Sequence, residues 1–337
     1  MRVLVVGATG DVGSAAAKTA VAKGHAVRAL VRSTSNRDRL GEAKDKVEFV
    51  EGDMLDTASL ECALEGMEAI IVSIRLTPGE TKKGRAYKDV EEQGIKNLIA
   101  VGRKKGVKKI IHVSAAGVGP HCVSDMYSAK HQAEEAIRHS GLDYTIFKPS
   151  GMFKDFQFFH IPTVIKLGET SKWPTGPIDF HMNPLSHIDL AMCMVDALTN
   201  PKASSKTLEI GGPDCITQGD LLNMIAKEAG IKASYTEGVA KEQLIAMVKS
   251  NPQKAFFTAE QLQDFLIDKK IDHSVIREIF GIKFQPVGEY LKQAVPAVKE
   301  ALAKSGQQRR IKNRWGREVM RRPQFIGSWF IILLSLS

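Results

Sequence analysis

The sequence is poor in cysteine, and its few cysteines are widely scattered, without a Cys-x-x-Cys pair. This pattern argues against a disulfide framework or a zinc site and is typical of a protein from a reducing compartment. His181 and His187 have no third ligand at a useful spacing, so we expect no metal site. The sequence also lacks internal repeats and low-complexity tracts. The four cysteines are Cys62, Cys122, Cys193 and Cys215.

Long apolar segments and an even spread of positive charge are missing as well. The uncharged apolar stretch at 325–336 has twelve residues, whereas a membrane-spanning helix needs about 20. Six of the nine net positive charges lie in residues 309–322, so the remaining chain is nearly neutral. We therefore expect no nucleic-acid binding. The tail at 309–336 can lie on an anionic membrane surface or dock on a partner, or it can be a disordered terminus.

The composition is that of an ordinary globular protein, with 43% hydrophobic and 25% charged residues in a chain of 337. In the first half, short apolar runs alternate with helical patterns, which predicts a parallel sheet with helices on both faces. A core strand begins at residue 3, so we expect a cytoplasmic protein without a signal peptide. The later predicted strands are His25–Val31, Val47–Val50, Ala69–Ile74, Val107–Ser114 and Tyr144–Phe147. The helices predicted after the first are Leu60–Leu64, Val90–Lys105 and Met126–Ser140, and a loop is predicted at 77–88.

The first thirteen residues, MRVLVVGATGDVG, carry the strongest local pattern. An apolar run at 3–6 predicts a buried strand, and an alanine-rich stretch at 14–22 favours a helix. Between them, Gly7 permits a tight turn, Gly10 lets the backbone approach a pyrophosphate, and Gly13 lets helix and strand pack closely. The same loop also contains Thr9, Asp11 and Val12. The pattern predicts a dinucleotide site at a helix N-terminus, and the alternative is an ordinary turn with structural glycines.

The choice between the two nicotinamide cofactors depends on the residue at the end of the second strand. An acid there binds the ribose 2′-hydroxyl of NAD(H), whereas a cation suits the 2′-phosphate of NADP(H). This chain has Arg32, followed by three hydroxyl residues and no acid before Asp38. We therefore predict NADP(H), with NAD(H) as the alternative, and Arg32 as the phosphate ligand unless it is a solvated surface cation.

Several stretches resemble the atypical or extended short-chain dehydrogenase/reductases, with the NmrA-like group and the NAD(P)H-binding subunits associated with respiratory complex I as the nearest branch. In the first half these are GATGDVG, Arg32, GDMLD, GIKNLIAVGRKKGVKKIIHVSAAG and SGLDYTIFKPSGMF. In the second half they are PLSHIDLAMCMVDALTNP, LEIGGPDCITQGDLLNMIAKEAG, FFTAEQLQDFLIDKK and FGIKFQPVGEYL. The resemblance covers about residues 1–295 and agrees with a Rossmann-type doubly wound α/β fold. We expect a dinucleotide-binding domain at 1–150, a smaller interleaved substrate lobe at 151–300 and a separate tail at 301–337.

The resemblance also implies further cofactor contacts and a catalytic set. Asp53 and Met54 would lie against the adenine, although Asp53 also fits an ordinary turn or cap residue, and Pro149 would also contact the dinucleotide. In active members of the family, a lysine holds the nicotinamide ribose and lowers the pKa of a tyrosine that transfers the proton. A serine orients the substrate carbonyl. Here Ser114 and Lys130 match the family's serine and lysine.

The tyrosine of this set is displaced by one position. The residue four places before Lys130 is Met126, and Tyr127 lies only three places before it. A shift of one residue turns a side chain by about 100° around a helix, yet spacings of three and four both leave two residues neighbouring. Tyr127 as the proton donor and a protein that binds the cofactor without this relay both remain open.

Two functions follow from these residues. The first is an NAD(P)H-dependent oxidoreductase that transfers a hydride to a carbonyl or conjugated double bond of an apolar small molecule. The aromatic cluster at 153–160 would line its pocket, although core packing explains most of these rings. The alternative is a non-catalytic NAD(P)H-binding redox sensor or an assembly and stabilising protein of a membrane complex. The displaced tyrosine and the tail at 309–336 favour this alternative.

Overall fold

The computed structural model describes residues 1–76, 81, 84–255 and 257–315. The chain forms two compact units, each built from three separate segments. The first unit contains Met1–Lys154, Met182–Cys215 and Lys269–Gln285, and the second contains Asp155–His181, Ile216–Asp268 and the chain from Pro286 onward. The sequence predicted a domain at 1–150, an interleaved lobe at 151–300 and a tail at 301–337, and in the structure two segments after residue 150 belong to the first unit. The apolar end of the predicted tail, 325–336, lies outside the described residues.

A seven-stranded parallel sheet forms the centre of the first unit, in the order β3-β2-β1-β4-β5-β6-β9. Its strands are β1 (Arg2–Val6), β2 (Ala26–Val31), β3 (Val47–Glu51), β4 (Ala69–Val72), β5 (Lys109–Val113), β6 (Asp143–Pro149) and β9 (Lys206–Ile210). The strand order reverses between β1 and β4, which pair through the register Val3 to Ala69. In open parallel sheets, ligands bind at the carboxyl ends of the strands beside such a reversal.

Helices cover both faces of this sheet, which confirms the predicted doubly wound α/β architecture. Val3 and Val5 belong to an apolar core with the helices at 11–22 and 187–196. Leu4 and Val6 belong to a second core with the helices at 57–64, 94–104 and 125–138. Both faces are therefore buried, as the nearly continuous apolar strand sequences require. The helices of this unit are α1 (Asp11–Ala22), α2 (Thr57–Leu64), α3 (Gly94–Lys104), α4 (Asp125–Arg138), α6 (His187–Asp196) and α10 (His273–Phe280).

The second unit is mainly helical, and a parallel pair of short strands, β7 and β11, accompanies the helices. Its helices are α5 (Ile161–Leu167), α7 (Gln218–Ala229), α8 (Lys241–Ser250), α9 (Ala259–Phe265) and α11 (Val287–Trp315). The remaining strands are β7 (Lys172–Trp173), β8 (His181–Met182), β10 (Ile216–Thr217) and β11 (Glu237–Gly238). Among the described residues, no helix is long and apolar enough to cross a membrane.

One predicted helix of the first unit differs from expectation at its start. The pattern predicted Val90–Lys105, but the helix opens with a π-helical turn at Lys88–Gln93 and becomes the α-helix α3 only at Gly94. A π-helical turn bonds each residue to the fifth one along the chain rather than the fourth, and such turns are frequent at functional sites. This π-helical turn carries the buried carboxylate of Glu91.

Candidate functional site

The glycine loop between β1 and α1 lies at the point where the strand order reverses. Gly7 has a positive φ of 84°, and a Cβ atom on it would lie 2.0 Å from the Ser73 carbonyl oxygen, beyond the end of β4. A Cβ on Gly13 would lie 2.1 Å from the Gly7 carbonyl oxygen, and the Gly10 N–H donates to that same oxygen at 2.9 Å. Only glycine fits at Gly7 and Gly13, so the loop folds tightly against both central strands.

The N-terminus of α1 faces out of this loop. Its cap residue, Gly10, has no side chain to accept from the first-turn N–H groups, which an α-helix leaves without internal partners. Asp11 is the one acid in that turn, and Arg39 pairs with it at 3.2 Å while also donating to the Thr9 carbonyl oxygen. The loop and helix start therefore fit the pyrophosphate of a dinucleotide.

Cations dominate the segment after β2, which the sequence analysis predicts to contact the cofactor ribose. The Ser35 hydroxyl accepts from the Arg32 N–H at 3.0 Å, which fixes the backbone turn. Arg37 lies over the Phe49 ring, with 5.0 Å from the guanidinium carbon to the ring centroid. Asp38, the first acid of the segment, is paired with Lys44 at 2.6 Å, and this bond lowers the pKa of the Asp38 carboxyl.

Asp53 and Met54 follow β3 and are held by residues far along the chain. Arg85 forms an ion pair with Asp53. Burial raises the pKa of the Asp53 carboxyl, but the bonds to Arg85 and to the Leu55 N–H, with the charge of Arg32, bring it below its usual value. Met54 is buried, and its carbonyl oxygen accepts from the Asn97 amide at 2.9 Å.

Ser114 and the two helical candidates are buried in the first unit. Ser114 follows β5, and Tyr127 and Lys130 lie on α4, where the neighbouring Met126 is only partly buried. Residues three and seven apart share one face of a helix, so the three-residue spacing leaves Tyr127 on the same buried face as Lys130 and Glu134. Pro149 ends β6 beside them, and its carbonyl oxygen accepts from the Ala116 N–H at 2.9 Å.

Each of the three candidate side chains contacts a different partner. The Ser114 hydroxyl donates to Glu134 at 2.5 Å, and the Lys130 ammonium pairs with Glu91 at 2.5 Å. The Tyr127 hydroxyl donates to the Ala116 carbonyl oxygen at 3.4 Å, which is long for such a bond.

Four groups around this set were not predicted from the sequence: Glu134, Arg138, His112 and Glu91. Glu134 also pairs with Arg138 at 2.6 Å and approaches the Lys148 ammonium at 3.8 Å. His112 is buried in β5, and neither of its ring nitrogens has a hydrogen-bond partner among the described residues. Burial, and then the positive charge of Lys130, lower the pKa of His112 to about 3, so the ring is neutral.

The aromatic cluster at 153–160 is divided between the two units. Phe153 is buried in the first unit, whereas Phe158 is exposed in the second. In the second unit, His160 stacks on Trp173 with 6.0 Å between centroids and meets Phe156 edge-on. Burial lowers the pKa of His160 to about 4. The rings of Phe156, His160 and Trp173 pack on one another within the second unit.

The histidines considered as metal ligands have other contacts. His181 pairs with Asp268 at 3.1 Å in the second unit, and His187 lies in the first turn of α6 in the first unit. Within the ranges that the structure describes, no three His, Cys, Asp or Glu side chains converge as metal ligands would.

A doubly wound parallel sheet with a glycine loop at its reversal point defines a dinucleotide-binding protein of the Rossmann type. Residues 7–201, more than half of the chain, match the family model described as NAD(P)H-binding. The chain therefore belongs to this family, in its atypical short-chain dehydrogenase/reductase branch, as the sequence resemblance predicted.

The relatives similar to this chain include both reductases and assembly factors, and a solved reductase structure shares its fold. The chain is 27% identical to the photosystem II assembly factor Ycf39 of Cyanophora paradoxa over 236 residues, 70% of this chain and 71% of that protein. It is 26% identical to the probable pinoresinol-lariciresinol reductase 3 of Arabidopsis thaliana over 266 residues, 74% and 80% of the two chains. The structure of a triphenylmethane reductase from Citrobacter sp., complexed with NADP(H), matches with a TM-score of 0.69 at 21% identity. That match covers 87% of this chain and 100% of the other.

Proposed function

We propose that the chain is an NADP(H)-dependent oxidoreductase acting on a carbonyl or conjugated double bond of an apolar small molecule. The observation that carries the proposal is the glycine loop at the sheet reversal together with a buried lysine beside it. Glu91, the partner of Lys130, also accepts from the N–H of Leu76, which follows β4. The lysine is thereby tied to the same carboxyl edge of the sheet as Gly7. The relationship to a probable pinoresinol-lariciresinol reductase supports reductase chemistry.

NADP(H) is favoured over NAD(H) by the charges after β2. Arg32 supplies the cation that suits a 2′-phosphate. Asp38, the first acid after β2, is already paired with Lys44. When bound, the nicotinamide supplies or accepts the hydride, and the protein supplies binding, orientation and a proton.

Tyr127 is our proposed proton donor, and Lys130 the group that holds the nicotinamide ribose. The bond from the Tyr127 hydroxyl to the Ala116 carbonyl oxygen is 3.4 Å long, so exchanging it for a substrate oxygen costs little. The lysine is buried, and its charge is balanced by Glu91. Tyr127 lies three residues before this lysine on the same buried face of α4, within reach of one bound substrate and cofactor.

Titration with NADPH and NADH, followed by nicotinamide fluorescence, tests the cofactor assignment. We expect tight binding of NADPH, and Arg32→Ala should weaken it about tenfold or more because a charged hydrogen bond to phosphate is lost. Binding of NADH should change by no more than about twofold. Lys105→Ala is the matched control, since that partly exposed cation lies before β5 and pairs with Glu65, which lies before β4, at the amino ends of the strands. Equal losses for both cofactors would contradict the role given to Arg32.

A second candidate is a non-catalytic NAD(P)H-binding protein that assembles or stabilises a membrane complex. Its support is the relationship to an assembly factor and the existing partners of Ser114 and Lys130, both of which bind carboxylates. The basic and apolar tail at 309–336 adds a segment suited to an anionic surface. In this function the dinucleotide would act as a bound signal rather than as a reactant.

Tyr127→Phe separates the two candidates. In an oxidoreductase, the loss of the phenol should lower kcat with quinone or enone substrates by about 100-fold or more, since general acid catalysis supplies that much. NADPH affinity should stay within about twofold of the parent chain. Tyr144→Phe, a partly buried tyrosine on β6, serves as the control and should keep full turnover. A parent chain that binds NADPH but turns over no substrate would favour the second candidate.

A further inference from the structure

Glu91 is an acid buried where an acid is costly. Glu91 is only 2% exposed. Removing a carboxylate from water costs several kcal/mol, which a single ion pair repays only with good geometry. One oxygen, Oε2, lies 2.5 Å from the Lys130 ammonium, and the other accepts from the Leu76 N–H at 3.2 Å. Oε1 therefore accepts a hydrogen bond, whereas Oε2 has no hydrogen-bond partner among the described residues and is held by the ion pair with Lys130.

The backbone is adapted to bring this carboxylate inward. Glu91 lies in the π-helical turn Lys88–Gln93, which precedes the regular helix α3. The next residue, Glu92, keeps 15% of its side chain exposed and pairs with the more exposed Lys96, four residues later. The two adjacent acids thus differ in exposure and in partner, and both lie in a helical irregularity of the kind frequent at functional sites.

Stability alone does not account for the pair. Replacing a buried ion pair by apolar residues of similar volume is often neutral or stabilising, and the neighbouring residues Val90 and Ile95 show that the core accepts such residues. The cation of the pair is the lysine that the proposed function assigns to the dinucleotide. The carboxylate also accepts from the N–H of Leu76, in the segment that follows β4. It therefore links that lysine to the segment whose first residue, Ser73, lies against Gly7.

We propose, resting on the proposed function, that Glu91 is the positioning residue of Lys130. Its carboxylate fixes the ammonium at the carboxyl edge of the sheet, where the dinucleotide ribose would be held. Without it, the buried lysine has no counter-charge and loses the contact that fixes its place. Glu91 acts on the cofactor only through Lys130, and this condition can be tested.

The test compares Glu91→Gln with Glu92→Gln, which removes the same charge one residue away. We expect Glu91→Gln to weaken NADPH binding by about tenfold or more and to lower Tm by about 5 °C or more. Glu92→Gln should leave NADPH affinity unchanged and shift Tm by about 1 °C, since its partner Lys96 is 44% exposed and stays solvated when the charge of Glu92 is removed. An NADPH affinity in Glu91→Gln equal to that of Glu92→Gln overturns the proposal.

A double-variant cycle with Lys130→Met shows whether Glu91 acts through the lysine. In the Lys130→Met background, Glu91→Gln should cause no further loss of NADPH affinity and should restore part of the lost Tm. Equal losses in both backgrounds mean that Glu91 acts independently of Lys130, and they overturn the proposal. If Glu91→Gln alone does not fold, a folded double variant still demonstrates the coupling, whereas a double variant that is no better contradicts it.

The Tm measurements distinguish a failure of this proposal from a failure of the proposed function. If no variant and not even the parent chain binds NADPH, the oxidoreductase assignment fails. The coupling between Glu91 and Lys130 in Tm then decides the positioning role by itself. A restored Tm in the double variant supports the role, and additive losses overturn it.

Discussion

Alanine at Gly7 is expected to abolish dinucleotide binding and to reduce the free energy of unfolding by about 3 kcal/mol or more. The residue has a φ of +84°, which costs a side chain about 1–2 kcal/mol. Its Cβ would also lie 2.0 Å from the Ser73 carbonyl oxygen. That oxygen belongs to the backbone just beyond a central strand, so overpacking adds about 1–3 kcal/mol. Urea unfolding and NADPH titration measure the two effects.

Gly24→Ala is the matched control for this substitution. Gly24 follows the other end of α1 and has a similar φ of +79°, but a Cβ there would meet nothing within 4 Å. We expect it to cost about 1 kcal/mol and to leave NADPH affinity unchanged, because only the backbone strain is introduced. If Gly7→Ala proves no more destabilising than Gly24→Ala, the loop yields to the added methyl group and the steric argument fails.

The strand–turn–helix unit was predictable because its information is local. Three glycines at fixed offsets between an apolar run and an alanine-rich stretch indicate the positions at which backbone atoms approach one another too closely for a side chain. The structure places a backbone oxygen within 2.1 Å of the missing Cβ at both Gly7 and Gly13. The alternation of apolar runs and helical patterns likewise indicated a parallel sheet, since βαβ connections leave few other arrangements.

The π-helical turn and the particular segments that return to the first unit were not predictable. At Lys88–Gln93 the apolar positions are too few to distinguish a π register from an α register. The segments Met182–Cys215 and Lys269–Gln285 have ordinary apolar periodicity, which shows that a face is buried but not against which partner.

The carboxylates of the candidate site were missed for a related reason. Glu91 pairs with a lysine 39 residues away, and Glu134 binds a serine 20 residues before it. Nothing local in the sequence marks such contacts. Glu134 did carry a signal, because it lies four residues after Lys130 and four before Arg138. That spacing is also typical of a solvated ion-pair face of a helix, and only its 1% exposure distinguishes the two.

Glu134→Gln is expected to reduce the free energy of unfolding by about 3 kcal/mol or more. The carboxylate is buried, accepts a hydrogen bond from the Ser114 hydroxyl and forms an ion pair with the Arg138 guanidinium. The Lys148 ammonium lies 3.8 Å away. The isosteric amide keeps the shape but removes the charge, so two cations lose their buried counter-ion, the situation that costs most in a buried pair. The measurement is urea unfolding, with the m-value checked for an unchanged transition.

Glu135→Gln provides the control, because Glu135 also pairs with Arg138 but is far more exposed, at 40% of its side chain. A surface pair of this kind contributes about 0.5 kcal/mol or less. Equal losses for the two variants would show that Arg138, rather than the buried position of Glu134, determines the cost.

The same variant bears on the role of Ser114 in any reaction. A hydroxyl has one hydrogen to donate, and Ser114 donates it to Glu134, so a substrate carbonyl receives a hydrogen bond from Ser114 only if that contact breaks. A neutral amide is a weaker acceptor than a carboxylate. If Ser114 orients the substrate, Glu134→Gln should therefore lower KM with quinones or enones even as stability falls. If Ser114 only anchors α4 to β5, KM should remain unchanged and Ser114→Ala should reproduce part of the stability loss. The direction of KM in Glu134→Gln thus separates a serine that contacts substrate from one that holds the helix.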